Sequence, residues 1–320
     1  MTKTNSSAPE ARPLLIHIGY HKTATTWLQN KVFQPPNYFR QVMTHDEIFT
    51  HIINPHGLSF DPAPAQEIIA RARAEDPGET AVDVISLEAL SGLPYMGGRE
   101  SEDYARRLQA IAPGASILMT IREQTAILGS VYMQYVFRAG TESPKRFFDE
   151  TAWQGFFRFS SEMFCYDRLV AHYQGLFGTE RVLVLPQELI AADQTDAVLR
   201  LARVSGNEPL ATAGWTPQRE RGVSYPQYAV PFLRRVNHLR PGPMNPNPMI
   251  NLGRRGKTLY KFVGWLARRL PFTGSLQKRR PVTDYIRTRF AGRFADSNRR
   301  LVTLLPDRTG LERYQGLGED

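Results

Sequence analysis

The sequence predicts an α/β protein: a parallel sheet with helices on both faces. Four short apolar runs read as buried strands, and segments of helical spacing separate them, an alternation that belongs to parallel sheets covered on both sides. The chain has 320 residues, 42% hydrophobic and 22% charged, enough for one large domain with a sizeable core.

The first run, Leu14-Leu15-Ile16-His17-Ile18, stops at Gly19 and reads as a strand. Residues 19–23 form a loop, and Thr25-Thr26-Trp27-Leu28-Gln29 starts a helix with threonines at its mouth as caps. Ala81-Val82-Asp83-Val84-Ile85 is the second expected strand and Ser116–Ile121 the third. A helix follows over Gln124–Phe137, with Ile127, Leu128, Val131 and Tyr135 sharing a face. Helical spacing returns over Met163–Phe177, and Arg181-Val182-Leu183-Val184-Leu185 is the fourth strand. Further on, Pro241–Pro248 is a loop by composition. Thr258–Leu270 places Leu259, Phe262, Val263, Leu266 and Leu270 on one helical face, with Gly264 weakening the helix. A last helix spans Asp296–Leu305.

Cys165 is the single cysteine, so no intramolecular disulfide can form, and its apolar neighbours mark it as a small core residue. Residues 1–12 are polar and read as a flexible tail without the apolar centre of a signal peptide, which sets the expectation of a cytoplasmic protein. No apolar run approaches the ~18 residues a membrane-spanning helix needs. The net charge of +9 is uneven: residues 234–300 hold 17 Lys/Arg against 2 Asp/Glu, while the remainder is net acidic. A field of that kind favours an anionic partner such as a nucleotide, an acidic glycan, a phospholipid surface or nucleic acid.

The stretch richest in chemistry is Gly19-Tyr20-His21-Lys22-Thr23-Ala24-Thr25-Thr26. A strand feeding a tight loop that opens a helix converges backbone N–H groups on one spot, an anion site. Lys22 adds a positive charge and Thr23, Thr25 and Thr26 add hydroxyls. It is not the Gly-x-x-x-x-Gly-Lys-Ser/Thr loop of nucleoside triphosphatases, because Gly19 is its only glycine. A second grouping follows the third strand: Arg122 and Ser130 are eight apart, about two helical turns, so both can face one phosphate.

Lys22-Thr23-Ala24-Thr25-Thr26-x-Leu28 resembles the 5′-phosphosulfate loop of the sulfotransferases, and Ile121-Arg122…Ser130-x-Tyr132 resembles their 3′-phosphate site. Glu123-Gln124 departs from the Asn-Pro or Asp-Pro common there. The resemblance covers about residues 13–235 and the final helix. Tyr166-Asp167-Arg168-Leu169, Arg181–Pro186 and Ser297-Asn298-Arg299-Arg300-Leu301 look like scaffold of a bacterial sulfotransferase. It implies one P-loop-like domain over 13–320, with 240–281 a basic insertion or acceptor-side segment. It also implies 3′-phosphoadenosine 5′-phosphosulfate (PAPS) as donor, its desulfated form PAP as product, and no metal.

By the same resemblance, His21, Lys22, Thr23, Ala24, Thr25, Thr26, Arg122 and Ser130 bind the donor, and Arg219 or Arg221 closes over it. Lys22 also acts at the leaving phosphate. Glu88, after the second expected strand, corresponds to the base of the glycan-modifying branch, although the lysine that often follows is Ala89 here. The small-molecule branch uses a histidine, which leaves His45, His51 and His56 open. The acceptor expected is a carbohydrate or glycolipid hydroxyl, or an amine. The 258–270 face, with Trp265 beside it, suits peripheral contact with the inner face of a membrane. Two other classes stay open. One is a P-loop kinase or NTPase, with Asp83 pressed into metal binding. The other is a basic membrane- or nucleic-acid-binding protein with a disabled nucleotide site.

Overall fold

The computed structural model describes residues 12–34, 38–76, 81–151, 157–217, 225–269 and 278–318. Its centre is a five-stranded, all-parallel sheet of β1 (Leu14–His17), β2 (Phe39–Gln41), β3 (Val82–Ser86), β4 (Ser116–Ile121) and β5 (Val182–Pro186), in the order β2-β3-β1-β4-β5. The four expected strands are β1, β3, β4 and β5. The edge strand β2 was not expected from sequence. Successive residues feed opposite layers: Leu14, Ile16 and Ile18 join one core with Ile117, Met119 and Ile121, while Leu15 and Leu118 join the other with Val82, Val84 and Leu185. Burial on both faces is why these strands read as continuous apolar runs.

The helices are α1 (Thr25–Trp27, continued by a π-turn over Leu28–Val32), α2 (His45–Ile48), α3 (Ala63–Glu75), α4 (Ser101–Ile111), α5 (Gln124–Phe137), α6 (Pro144–Phe147), α7 (Tyr166–Phe177), α8 (Gln187–Ala192), α9 (Gln194–Ser205), α10 (Glu208–Ala213), α11 (Val230–Asn237), α12 (Gly253–Arg269), α13 (Pro281–Arg289) and α14 (Ala295–Leu304). α5 falls where the periodicity put it. The Met163–Phe177 segment divides into a 3₁₀ turn over Ser161–Phe164 and α7, with Cys165 buried between them. The 241–248 segment has no regular element beyond the Gly242–Asn245 bridge. Arg12, assigned to the tail from sequence, is held in the fold by ion pairs to Asp76 and Asp83, each 3.2 Å.

α12 extends the sequence reading. It starts five residues earlier than expected and turns Gly256, Tyr260, Gly264 and Ala267 inward, while Leu259, Phe262 and Trp265 are exposed. A methyl group on Gly264 would overlap the Tyr225 ring, so this glycine permits close packing rather than merely weakening the helix. Val263 and Leu266 are half-buried, and Leu270 lies outside the described residues. Among the described residues no helix is long and apolar enough to cross a membrane.

Candidate functional site

The strand order places the site. The chain leaves β1 toward β2 on one side and leaves β4 toward β5 on the other, so the carboxyl ends of β1 and β4 flank the point where the winding reverses. Ligands of open α/β sheets bind at such a crevice. The loop after β1 carries Lys22 there, and the loop after β4 carries Arg122.

The β1 loop lies against β4. Backbone bonds run from Ile18 N to Leu118 O at 3.0 Å and from Tyr20 N to Thr120 O at 2.9 Å. The buried Thr23 hydroxyl donates to the Tyr20 carbonyl and meets the Thr120 hydroxyl at 2.6 Å. The threonines therefore do not cap α1 as expected: its N-cap is Ala24, in the left-handed region at φ 68°, and makes no side-chain cap. Lys22 is also left-handed, at φ 71°. Two L-residues held there within three positions is an arrangement the neighbouring contacts must impose, at about 1–2 kcal/mol each. Thr25 Oγ1 is buried with no partner among the described residues, a polar atom that a ligand oxygen would satisfy. Thr26 is exposed.

Beneath the loop, His17 is fully buried, its Nδ1 2.8 Å from Ser86 Oγ and its Nε2 3.4 Å from Thr120 Oγ1. Burial pushes its pKa down to about 3, so the imidazole is neutral. A β-carbon on Gly19 would overlap Thr120 Oγ1 and His17 Nε2. Gly19→Ala is therefore expected to cost about 1–3 kcal/mol by overpacking, read as a lower urea midpoint. Gly114→Ala is the control, because beyond its chain neighbours an added β-carbon there meets no atom of the described residues within 4 Å, and it should leave the midpoint almost unchanged.

Arg122 and Ser130 meet as their spacing suggests: Arg122 Nη1 donates to Ser130 Oγ at 3.1 Å and to the Lys22 carbonyl at 3.4 Å, tying the two loops together. The Glu123-Gln124 departure has a structural account. Glu123 caps α5, its carboxylate accepting from Thr125 N at 2.7 Å and Ala126 N at 2.8 Å. Gln124 is buried and donates to Asn298 Oδ1 at 2.7 Å, and the Tyr166 hydroxyl donates to the Arg122 carbonyl at 2.6 Å. Nearby, Asp167 accepts from Ser297 and, at 2.7 Å, from Arg300 Nε. The Tyr166–Leu169 and Ser297–Leu301 segments thus buttress the Arg122 loop.

A cavity of about 720 Å³ opens beside these groups. Lys22, Arg122, Arg268, Arg280 and Arg287 line it against one carboxylate, Glu123, and Tyr225, Tyr260, Gln227 and Thr283 complete its walls. Sequence reasoning missed Arg280, Arg287 and Arg268. Their signal was the basic C-terminal third, without an indication of which residues turn inward. Lost hydration, then the adjacent Arg122, lower the Lys22 pKa, and Glu88 opposes them.

Glu88 begins a 3₁₀ turn directly after β3 and is half-buried. Its charge acts on Lys22, on His21 and on Tyr95, and Arg138 acts on the same three groups. His21 is buried, hydrogen-bonded to the Gly92 backbone, with Nε2 lacking a partner among the described residues. Burial first, then Arg138 and Lys22, push its pKa down to about 4 against the pull of Glu88 and Gly92. The other histidines lie elsewhere: His45 reaches Gln29 at 3.4 Å, His51 faces Glu47, and His56 caps the Gly57–Ser59 turn. Asp83 is buried at the amino-terminal part of β3 with Arg12 at 3.2 Å and Arg73 at 2.7 Å, which removes it as a metal ligand in the crevice. Arg219 and Arg221 lie outside the described residues.

No protein-family model matches the chain, and no curated protein does. Among solved structures, the chain is similar to a sulfotransferase from Alicyclobacillus acidocaldarius, at 19% sequence identity and a TM-score of 0.48, over 84% of this chain and 100% of that one. The likeness is one of backbone path.

Proposed function

We propose that the protein moves a sulfuryl group from PAPS to an acceptor hydroxyl, that of a carbohydrate or glycolipid by the resemblance at Glu88. The observation that carries this reading is the Arg122–Ser130 pair, 3.1 Å apart and bonded to the Lys22 loop. Two separate phosphate-binding groupings on neighbouring strands suit a nucleotide with a phosphate at each end of its ribose. The partnerless Thr25 hydroxyl and the five cations around the cavity support the same assignment.

In this mechanism the acceptor oxygen attacks sulfur in line with the bridging oxygen of the donor. The S–O bond to the 5′-phosphate breaks, the acceptor proton passes to the Glu88 carboxylate, and PAP departs. Lys22 meets the negative charge that grows on the leaving oxygen. Its lowered pKa makes its N–H a stronger donor toward that oxygen. Glu88, His21 and Lys22 act on one another electrostatically, so the base and the leaving-group cation share one neighbourhood.

Calorimetry with PAP, ADP and ATP-Mg²⁺ tests the donor assignment. PAP should bind more tightly than ADP. Arg122→Ala should weaken PAP by about 10–100-fold, the worth of a charged hydrogen bond, and leave ADP nearly unchanged. Equal or tighter binding of ATP-Mg²⁺ would replace this reading with a kinase or NTPase. Absence of all nucleotide binding would leave a basic binding protein.

A further inference from the structure

Between Arg221 and Thr283 the sequence holds 13 Lys/Arg and no Asp or Glu. α12 lies within this stretch and contributes six of those cations: Arg254, Arg255, Lys257, Lys261, Arg268 and Arg269. Opposite its buried Gly256–Tyr260–Gly264–Ala267 side, Leu259, Phe262 and Trp265 recur every third residue and form an exposed ridge, with Phe262 54% and Trp265 47% exposed. The Phe262 and Trp265 rings stack 6.0 Å apart, and the Arg269 guanidinium lies over the Trp265 ring at 5.1 Å. The apolar surface is not confined to this helix. Phe232 on α11, which packs against α12, is 56% exposed, and Met249 and Ile250 on the approach to α12 are exposed as well. The stacked Phe262 and Trp265, with Leu259 a turn away, make an exposed apolar strip of the kind that marks an interaction surface.

We propose that this ridge docks the protein onto an anionic phospholipid surface, with α12 lying in the headgroup region and Leu259, Phe262 and Trp265 entering the acyl boundary. Charge complementarity selects this occupant. A symmetric second copy would press the same predominantly cationic surface, in which Asp284 lies near Phe232, against itself. Nucleic acid would satisfy the cations and leave the apolar ridge in water. An anionic bilayer meets both, the lipid phosphates facing Lys and Arg while the tails accept the aromatic and aliphatic side chains.

The same helix forms a wall of the cationic cavity, since Tyr260 and Arg268 line it. Phe232 lines an adjoining hollow that shares Arg280, Thr283 and Arg287 with that cavity. Docking would therefore bring the cavity close to the lipid headgroups. On the sulfotransferase reading, an acceptor held in the membrane would be presented there. The docking itself does not rest on that reading.

The test is sedimentation of the full chain with vesicles of phosphatidylcholine alone and of phosphatidylcholine with phosphatidylglycerol. Binding to the anionic vesicles should exceed binding to neutral ones by at least tenfold. The double variant Phe262→Ser/Trp265→Ser should lose it, while PAP binding, measured in parallel, stays at the wild-type value. Lys257→Glu/Lys261→Glu should weaken it as well. Retained vesicle binding in the serine variant, or equal binding to neutral vesicles, overturns the proposal. So does wild-type self-association that the serine variant abolishes. RNA binding with no vesicle binding would assign the surface to nucleic acid. Failure of PAP to bind would count against the donor reading and leave the docking result standing.

Discussion

Lys22→Met should reduce turnover by about 10²–10³-fold, the loss that follows removal of one donor aimed at a developing oxyanion. Methionine keeps the length of the stem and the β-carbon, so the left-handed backbone at φ 71° is asked of an L-residue in both proteins. Only the cation is lost. PAP affinity should fall by a smaller factor, because Arg122 and Ser130 remain joined at 3.1 Å and hold the other phosphate. Single-turnover kinetics beside PAP titration separates the two effects. Equal losses in binding and turnover would make Lys22 a ground-state binder and remove it from the leaving-group role.

Glu88→Gln should lower kcat by about 10²–10⁴-fold, the usual contribution of a positioned general base, with little change in PAP affinity. The fold should survive, because Glu88 is half-buried and the Ser91 hydroxyl binds the Glu88 backbone carbonyl rather than its side chain. Turnover that persists in Glu88→Gln would shift the base elsewhere. His21 would be the next residue to change, since its buried Nε2 is without a partner and it feels the Glu88 charge.

Much of the scaffold was legible because burial on both faces of a parallel sheet writes strands as apolar runs. β1, β3, β4 and β5 were visible in that way. β2 was not: Phe39-Arg40-Gln41 is three residues long at the sheet edge, and Arg40 is spent on the Ala72 carbonyl and Asp76. The Arg122–Ser130 contact was legible because eight residues make two turns, and helical geometry is local. The fate of Thr23 was not, because its hydroxyl partner, Thr120, is 97 residues away. What lies on the inward side of α12 was not legible, for a related reason. Periodicity marked Leu259 and Phe262 as one face, but the opposite side is set by Tyr225 and the Leu239 backbone, which approach so closely that only Gly264 and Gly256 fit there. The inward cations Arg280 and Arg287 were hidden among 17 basic residues of one region, since charge counts carry no direction.

The Gln124–Asn298 amide pair joins residues 174 apart. Both side chains are fully buried, and each supplies what the other lacks. Without Asn298, closing the start of α5 would bury the Gln124 amide without this partner, at a cost in free energy. During synthesis the Lys22 and Arg122 loops leave the ribosome early, yet the segment that positions Arg122 is finished only when the α14 stretch follows. A nascent chain of this protein would thus carry its phosphate-binding residues long before it could hold them in register, and chains interrupted before residue 298 would lack the buttress behind Arg122.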